Sequence, residues 1–476
     1  MRTWRASAVL STAAASAALL LGAPACGGDS AGSGGSGGDG AATSTSTGTT
    51  ATSSSTSTGS GGGFTSNCDL TPAPRPDGVP PSWEPFTCWV GCTYWVPAGT
   101  ADMPEAITWQ ECPDLGQWPR GECLINTLDD GQGIGMGPAP NVDTTIEGSP
   151  RIQYTRASIS GVEPRYQYNE WVVARADGPI EFAVRGSRDE PYCMLVEGGM
   201  RDRHAAYTIR GPYESIIDGL LLVDLDGRTL QSGYPDDDIF ETAWTAGEGW
   251  AVRHKAGLTA FRPDGSEERV VHDGSTDPNG MPYNTKAIVV GDEIVYGAGN
   301  YSYTGFYGFH PEHGTRALVT FPNDLSRGAG NVGTDGNDLV WTLGENRPPG
   351  EVGYPDLSIY TAPFTTDPAA LQPRRLRRDM ANDTGTFEKQ FAVGCGFAGR
   401  YIAASGLDSQ LVRLSDGVAW RLTGAHLKFR WNRVLGISCE HAYVQANFDG
   451  VGKGSTGQRT IVRVRLDELG EGLPAD

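Results

Sequence analysis

Few residues of this chain stand at spacings that do chemistry. His310-Pro-Glu-His313 offers two imidazoles and a carboxylate within four positions, the ligand types of a zinc site. A catalytic zinc pair needs a helix to put both rings on one side, whereas this stretch falls where a hairpin turn is expected. A solvated turn is therefore the preferred reading, and no metal is assigned. Asp236-Asp237-Asp238 gathers three carboxylates without the spaced oxygen ligands of a calcium loop. Arg374-Arg375-x-Arg377-Arg378 is the one basic cluster, read as a charged strand edge that discourages sheet pairing in preference to a seat for an anionic partner. Asp277, Asp324, Asp383 and Glu388 would support glycosidase-type chemistry only if two of them met about 5–9 Å apart. Tyr301, Tyr303, Arg347, Tyr354 and Trp431 are the candidate ligand-binding residues. The folded region contains no Gly-x-Ser-x-Gly, phosphate loop or dinucleotide fingerprint, so no catalytic residue and no cofactor is assigned.

The elements that must position these residues are set by composition. The 476 residues exceed one small core, and 66 Gly with 31 Pro favour turns over long helices. Lys and Arg number 37 against 57 Asp and Glu, a net charge of −20. That balance excludes nucleic acid as a main partner, because phosphate recognition rests on clustered cations.

Residues 1–25 read as an export signal: Arg2 and Arg5, an apolar stretch to Leu21, then small residues. Ala23-Pro24-Ala25-Cys26 resembles the lipobox of bacterial lipoproteins. The resemblance implies cleavage before Cys26, lipidation of its thiol and a membrane anchor. With Gly27 next, it also implies the outer membrane of a Gram-negative cell. Residues 27–63 contain 13 Gly, 10 Ser and 8 Thr and no apolar side chain larger than Ala. Such a stretch cannot offset its chain entropy by burial, so 26–63 is expected to be a disordered, lipidated tether. Its span is roughly 35 Å.

Eight further cysteines, Cys68, Cys88, Cys92, Cys112, Cys123, Cys193, Cys395 and Cys439, suit an exported chain with structural disulfides. Only Cys88-x3-Cys92 is tightly spaced, too little for a zinc site. Cys112 and Cys123 are expected to pair, because Pro113, Gly116, Pro119 and Gly121 let the chain turn back between them. Cys395 and Cys439 are also expected to pair. They stand 44 residues apart at equivalent places in two repeats, two positions after an apolar residue of the first strand. First strands line the channel of the architecture derived next. Partners for Cys68, Cys88, Cys92 and Cys193 stay open.

From residue 150 onward one unit recurs. Its second half is an alternating strand, an Asp-Gly type turn and another alternating strand, with turn glycines at 178, 227, 265, 314 and 417. The 103-residue step to Gly417 hides one further turn near Thr365-Thr366-Asp367-Pro368. Each first half repeats as two short apolar runs, as in Ile288-Val-Val-Gly-Asp-Glu-Ile-Val-Tyr. Four short strands per 40–50 residues is the signature of a propeller blade. The units end near 198, 233, 273, 323, 377, 424 and 467. The predicted fold is all-β, a seven-bladed β-propeller over 151–476, with an irregular second unit leaving six or eight blades open. The last unit ends on its third strand, so 64–150, a cysteine-rich irregular cap, should supply the closing strand from within 105–155.

The chain thus resembles the broad class of bacterial seven-bladed propellers, without the WD40, kelch or sialidase signatures. That resemblance is architectural and implies no activity. In such a ring, loops between strands two and three, and from strand four to the next blade, share one face; the Asp-Gly turns occupy the other. The first set varies in length, which is where recognition is expected. The expectation is a monomeric, envelope-tethered binding or scaffolding module for a protein or glycan, not an enzyme. The alternative is an extracellular polymer hydrolase or lyase working at the channel mouth.

Overall fold

The computed structural model describes stretches of the chain between Pro80 and Ala475. Residues 1–79, 113–120, 126–140, 145–148, 160–165, 187–193, 211–216, 226–228, 234–241, 274–286, 299–304, 321–328, 346–355, 380–390, 403–407, 423–432 and 449–457, with shorter gaps and residue 476, lie outside it.

Among the described residues 31 strands form seven sheets. The N-terminal part supplies β1 (Trp83–Trp89), β2 (Cys92–Pro97), β3 (Thr108–Glu111) and β4 (Gly121–Ile125). Blade 1 is β5 (Asn141–Asp143), β6 (Arg151–Ile159), β7 (Tyr166–Arg175) and β8 (Ile180–Gly186). Blade 2 is β9 (Met194–Arg201), β10 (His204–Arg210), β11 (Ile217–Asp224) and β12 (Thr229–Gly233). Blade 3 is β13 (Thr242–Gly247), β14 (Trp250–His254), β15 (Leu258–Phe261) and β16 (Glu268–His272). Blade 4 is β17 (Ile288–Val290), β18 (Glu293–Ala298), β19 (Gly305–His310) and β20 (Gly314–Thr320). Blade 5 is β21 (Ala329–Thr334), β22 (Asp338–Glu345), β23 (Asp356–Pro363) and β24 (Arg374–Asp379). Blade 6 is β25 (Ala392–Gly394), β26 (Phe397–Ile402), β27 (Asp408–Arg413) and β28 (Ala419–Leu422). Blade 7 begins with β29 (Arg433–Ile437), β30 (His441–Phe448) and β31 (Gln458–Arg465).

Within every blade consecutive strands pair antiparallel. The innermost strands β5, β9, β13, β17, β21, β25 and β29 each touch the next, and β29 touches β5, so the ring is closed. Blade 7 takes its fourth strand from the N-terminal part: β4 pairs with β31 through Val462 opposite Cys123 and Val464 opposite Gly121. Pairing leaves no raw edge at the seam. β3 extends that sheet, and β2 with β1 extends blade 1 beyond β8.

Two boundaries differ from the sequence reading. Blade 1 starts at β5, inside the stretch assigned to the cap, and ends at Gly186 instead of near 198. The cause is the three-residue length of β5, too short to show alternation. The turn chemistry also differs at one site. Gly314 and Gly417 take φ of +72° and +75°, as tight hairpins require. Gly178 does not; its missing side chain instead makes room, since a Cβ there would lie 2.8 Å from Arg175 Cβ.

The core lies between blades. Trp171, Val173, Phe182 and Val184 of blade 1 pack on Met200, Ala205 and Val223 of blade 2. Leu411 and Leu422 of blade 6 pack on Val434, Ala442, Val444, Val462 and Val464 of blade 7. Both faces of a central strand are thus covered, which is why Ile461 and Val462 are buried side by side although their side chains point opposite ways.

Candidate functional site

Strand direction sorts the connections onto two faces. On one lie the turns inside β9–β10, β17–β18 and β25–β26, each two residues long. On the other, 273–287 supplies 15 residues between β16 and β17, 380–391 supplies 12 between β24 and β25, and 346–355 supplies 10 between β22 and β23. Rigid strand ends carrying long connections form the usual setting for recognition.

The candidate residues belong to connections on this second face, two of them in 346–355. Tyr301 and Tyr303 stand between Ala298 and Gly305, Arg347 and Tyr354 between Glu345 and Asp356, and Trp431 two residues before Arg433. All five lie outside the described residues, as do Asp277, Asp324, Asp383, Glu388, Asp236-Asp237-Asp238 and Cys26. The strand ends that hold the five all open on the long-connection face.

Beneath that face, the outer strand of blade 5 and the middle strands of blade 6 hold a charge network that sequence reasoning missed. Arg400 of β26 is fully buried and donates through Nε to Gln410 Oε1 at 2.7 Å and through Nη1 to the Leu357 carbonyl at 3.1 Å. It also pairs with Asp379 of β24. Arg377 Nε donates to the same carboxylate at 2.8 Å, while its Nη1 reaches the Pro474 carbonyl at 2.8 Å. Arg378 donates to Asp356 at 2.9 Å. Arg374 also donates to the Leu414 carbonyl of blade 6 at 3.1 Å, so the basic cluster is spent on tying strands and the C-terminal tail together. The charged-edge reading fails for Arg377, which is buried. A single Arg inside the apolar run Phe397-Ala-Gly-Arg-Tyr-Ile was the available signal, because a lone charge in a buried strand needs a partner.

The short-turn face carries three features. Cys395 and Cys439 are bonded, with Cα atoms 5.0 Å apart. They sit in the turns after β25 and β29, not in the first strands that line the channel, and Cys395 takes φ of +47°. The bond so clamps the turns of blades 6 and 7. Cys112 and Cys123 are also bonded, Cα atoms 5.0 Å apart, and tie the end of β3 to β4. Cys68 and Cys193 and the side chains of Cys88 and Cys92 lie outside the described residues.

At the seam, Arg463 of β31 donates to Glu122 of β4 and to Asp177 in the turn of blade 1, each at 2.5 Å. Its guanidinium lies 4.5 Å from the Trp109 ring centroid, and Trp109 Nε1 donates to the Ala176 carbonyl at 2.6 Å. Burial, followed by the Arg463 charge, lowers the pKa of His441. Burial pushes the Tyr443 phenol up to about 12. This cluster joins β3, β4, β31 and blade 1, so it serves closure.

The third feature is the turn His310-Pro-Glu-His313. Its imidazoles stack with centroids 4.5 Å apart and planes inclined by 17°. A hairpin turn thus sets both rings side by side, an arrangement the sequence reading reserved for a helix.

Seven four-stranded blades around a ring of innermost strands define a β-propeller, closed by a strand from the N-terminal part. No family model matches the chain, and no curated protein matches it. Among solved structures it is similar to an oligogalacturonate lyase in complex with manganese, at 12% identity and a TM-score of 0.46, over 76% of this chain and 96% of that one. It is also similar to the Cps50 (Swd1) propeller domain of Myceliophteria thermophila, at 10% identity and a TM-score of 0.43, over 76% and 99%. A third is the propeller domain of the Trilobed protease from Pyrococcus furiosus, at 10% identity and a TM-score of 0.39, over 70% and 96%.

Proposed function

We propose that this chain is an envelope-tethered propeller that binds a protein or a glycan through its long-connection face. The observation that carries the reading is the contrast between faces. Within the blades, turns of two to seven residues and an inter-blade disulfide finish one side, apart from the ten-residue connection 364–373 between β23 and β24, while connections of 10, 12 and 15 residues leave the other. The described charges beneath that side support it, since Arg377, Arg378 and Arg400 hold carboxylates in place and so stiffen the platform. Lipid on Cys26 and the Gly/Ser/Thr stretch would present this face at the outer membrane of a Gram-negative cell, with the chain acting as a monomer.

Two measurements test the reading. Cys26→Ser should move the protein from the membrane fraction to the soluble one; unchanged partitioning defeats the tether. A glycan array and an envelope-extract capture, run with the wild type and with Arg347→Ala/Tyr354→Ala, test the face. Binding that the double variant loses and that Glu440→Ala on the opposite face retains supports the assignment. Equal loss in both refutes it.

A further inference from the structure

His310, Glu312 and His313 occupy the turn between the last two strands of blade 4, on the short-turn face. One ligand atom from each, two imidazole nitrogens and a carboxylate oxygen, lies within 4.8 Å of the others. Glu312 and His313 are exposed and His310 is half-buried. Among the described residues no ion pair engages these three side chains. The Glu312 amide donates to His310 Nδ1 at 3.1 Å, so that nitrogen faces the amide as an acceptor. Arg269, the nearby cation, is occupied with Glu267 and donates to the Pro311 carbonyl at 3.5 Å.

We propose that these three side chains form a surface site for a divalent transition-metal ion, with zinc as its representative. The chemistry follows from the ligand types. Imidazole selects zinc, copper and nickel, whereas calcium and magnesium prefer sites made wholly of oxygen. Two imidazoles and one carboxylate supply three ligands and leave positions for water, the composition of an open site. Metal–ligand bonds of about 2.0–2.2 Å require the ligand atoms to draw in. Exposed turn side chains do this by rotating about χ1 and χ2. His310 enters either by exchanging the Glu312 amide for the metal at Nδ1, or by tautomerising, its proton moving from Nε2 to Nδ1 with loss of the amide bond, and offering Nε2. Pro311 fixes one backbone angle of the turn, so less chain freedom is lost when the ion binds.

The test is calorimetric titration of the full chain with zinc chloride, after treatment with a chelator. One ion per chain is expected to bind. His310→Ala/His313→Ala should weaken it at least about tenfold, equal to about 1.4 kcal/mol. Glu312→Gln should weaken it less, and a tenfold excess of calcium should not compete. His441→Gln, on another blade, should bind as the wild type does. An unchanged melting temperature in the double variant separates lost ligands from lost fold. Absence of binding at millimolar zinc, or binding that the double variant retains, overturns the site.

Discussion

Arg463 donates through Nε to Glu122 Oε2 at 2.5 Å, joining a residue of the last propeller strand to one 341 positions earlier. The same guanidinium reaches Asp177 of blade 1 and lies over Trp109. One side chain thus spans the seam where the chain closes on itself. It does so on top of the backbone pairing of β4 with β31.

Arg463→Ala should lower stability by about 1–2 kcal/mol, from the lost ion pairs and the contact with Trp109. The figure is modest because Glu122 and Asp177 stay 45% and 57% exposed and so are screened by water. Chemical denaturation checks this. A loss above about 4 kcal/mol would mean that Arg463 is needed for strand addition itself.

Arg400→Met should cost more, about 3–5 kcal/mol. Met fills similar space but strands Asp379, Gln410 Oε1 and the Leu357 carbonyl with fewer donors beneath packed blades. Unfolding curves of the two proteins decide it; a difference under about 1 kcal/mol would show that water replaces the guanidinium freely.

Gly399→Ala should destabilise by about 1–3 kcal/mol through overpacking. A Cβ at this position of β26 would stand 2.4 Å from Val434 Cβ on the neighbouring blade. Adding Val434→Ala should recover part of the loss, because the two sites share one contact. Strict additivity in the double-mutant cycle would argue against that contact.

His441 gives the fold a pH dependence of definite sign. Its folded pKa lies below the unfolded value, through burial and the Arg463 charge, against smaller opposing effects of Glu440, Asp177 and Glu122. Between the folded pKa and about 6.5 the unfolded chain binds more protons at this site. The stability from this residue is therefore full above about 6.5, falls as pH drops through that window, and stays low beneath it. His441→Gln should flatten this part of the profile, and Arg463→Ala should move the imidazole titration upward by NMR. A downward move would contradict the stated cause.

The sequence by itself determined the strand-and-turn rhythm. Alternation and Asp-Gly turns are local properties, and the ends of units near 233, 273, 323, 377, 424 and 467 fall within a few residues of β12, β16, β20, β24, β28 and β31. The need for a closing strand was legible too, because an unpaired edge is costly wherever the last unit stops at its third strand. So were the Cys112–Cys123 and Cys395–Cys439 bonds, from spacing and repeat position. Tertiary structure alone decided the rest. β5 is too short to carry a pattern, and only its contacts with β29 and β9 reveal it as the innermost strand of blade 1. Arg400 meets Asp379, and Arg463 meets Glu122 and Asp177, because blades stack and the ends of the chain meet. No local pattern encodes which charges such packing brings together. His310 and His313 stack because of the path a turn takes, and their spacing in sequence was as consistent with rings pointing apart.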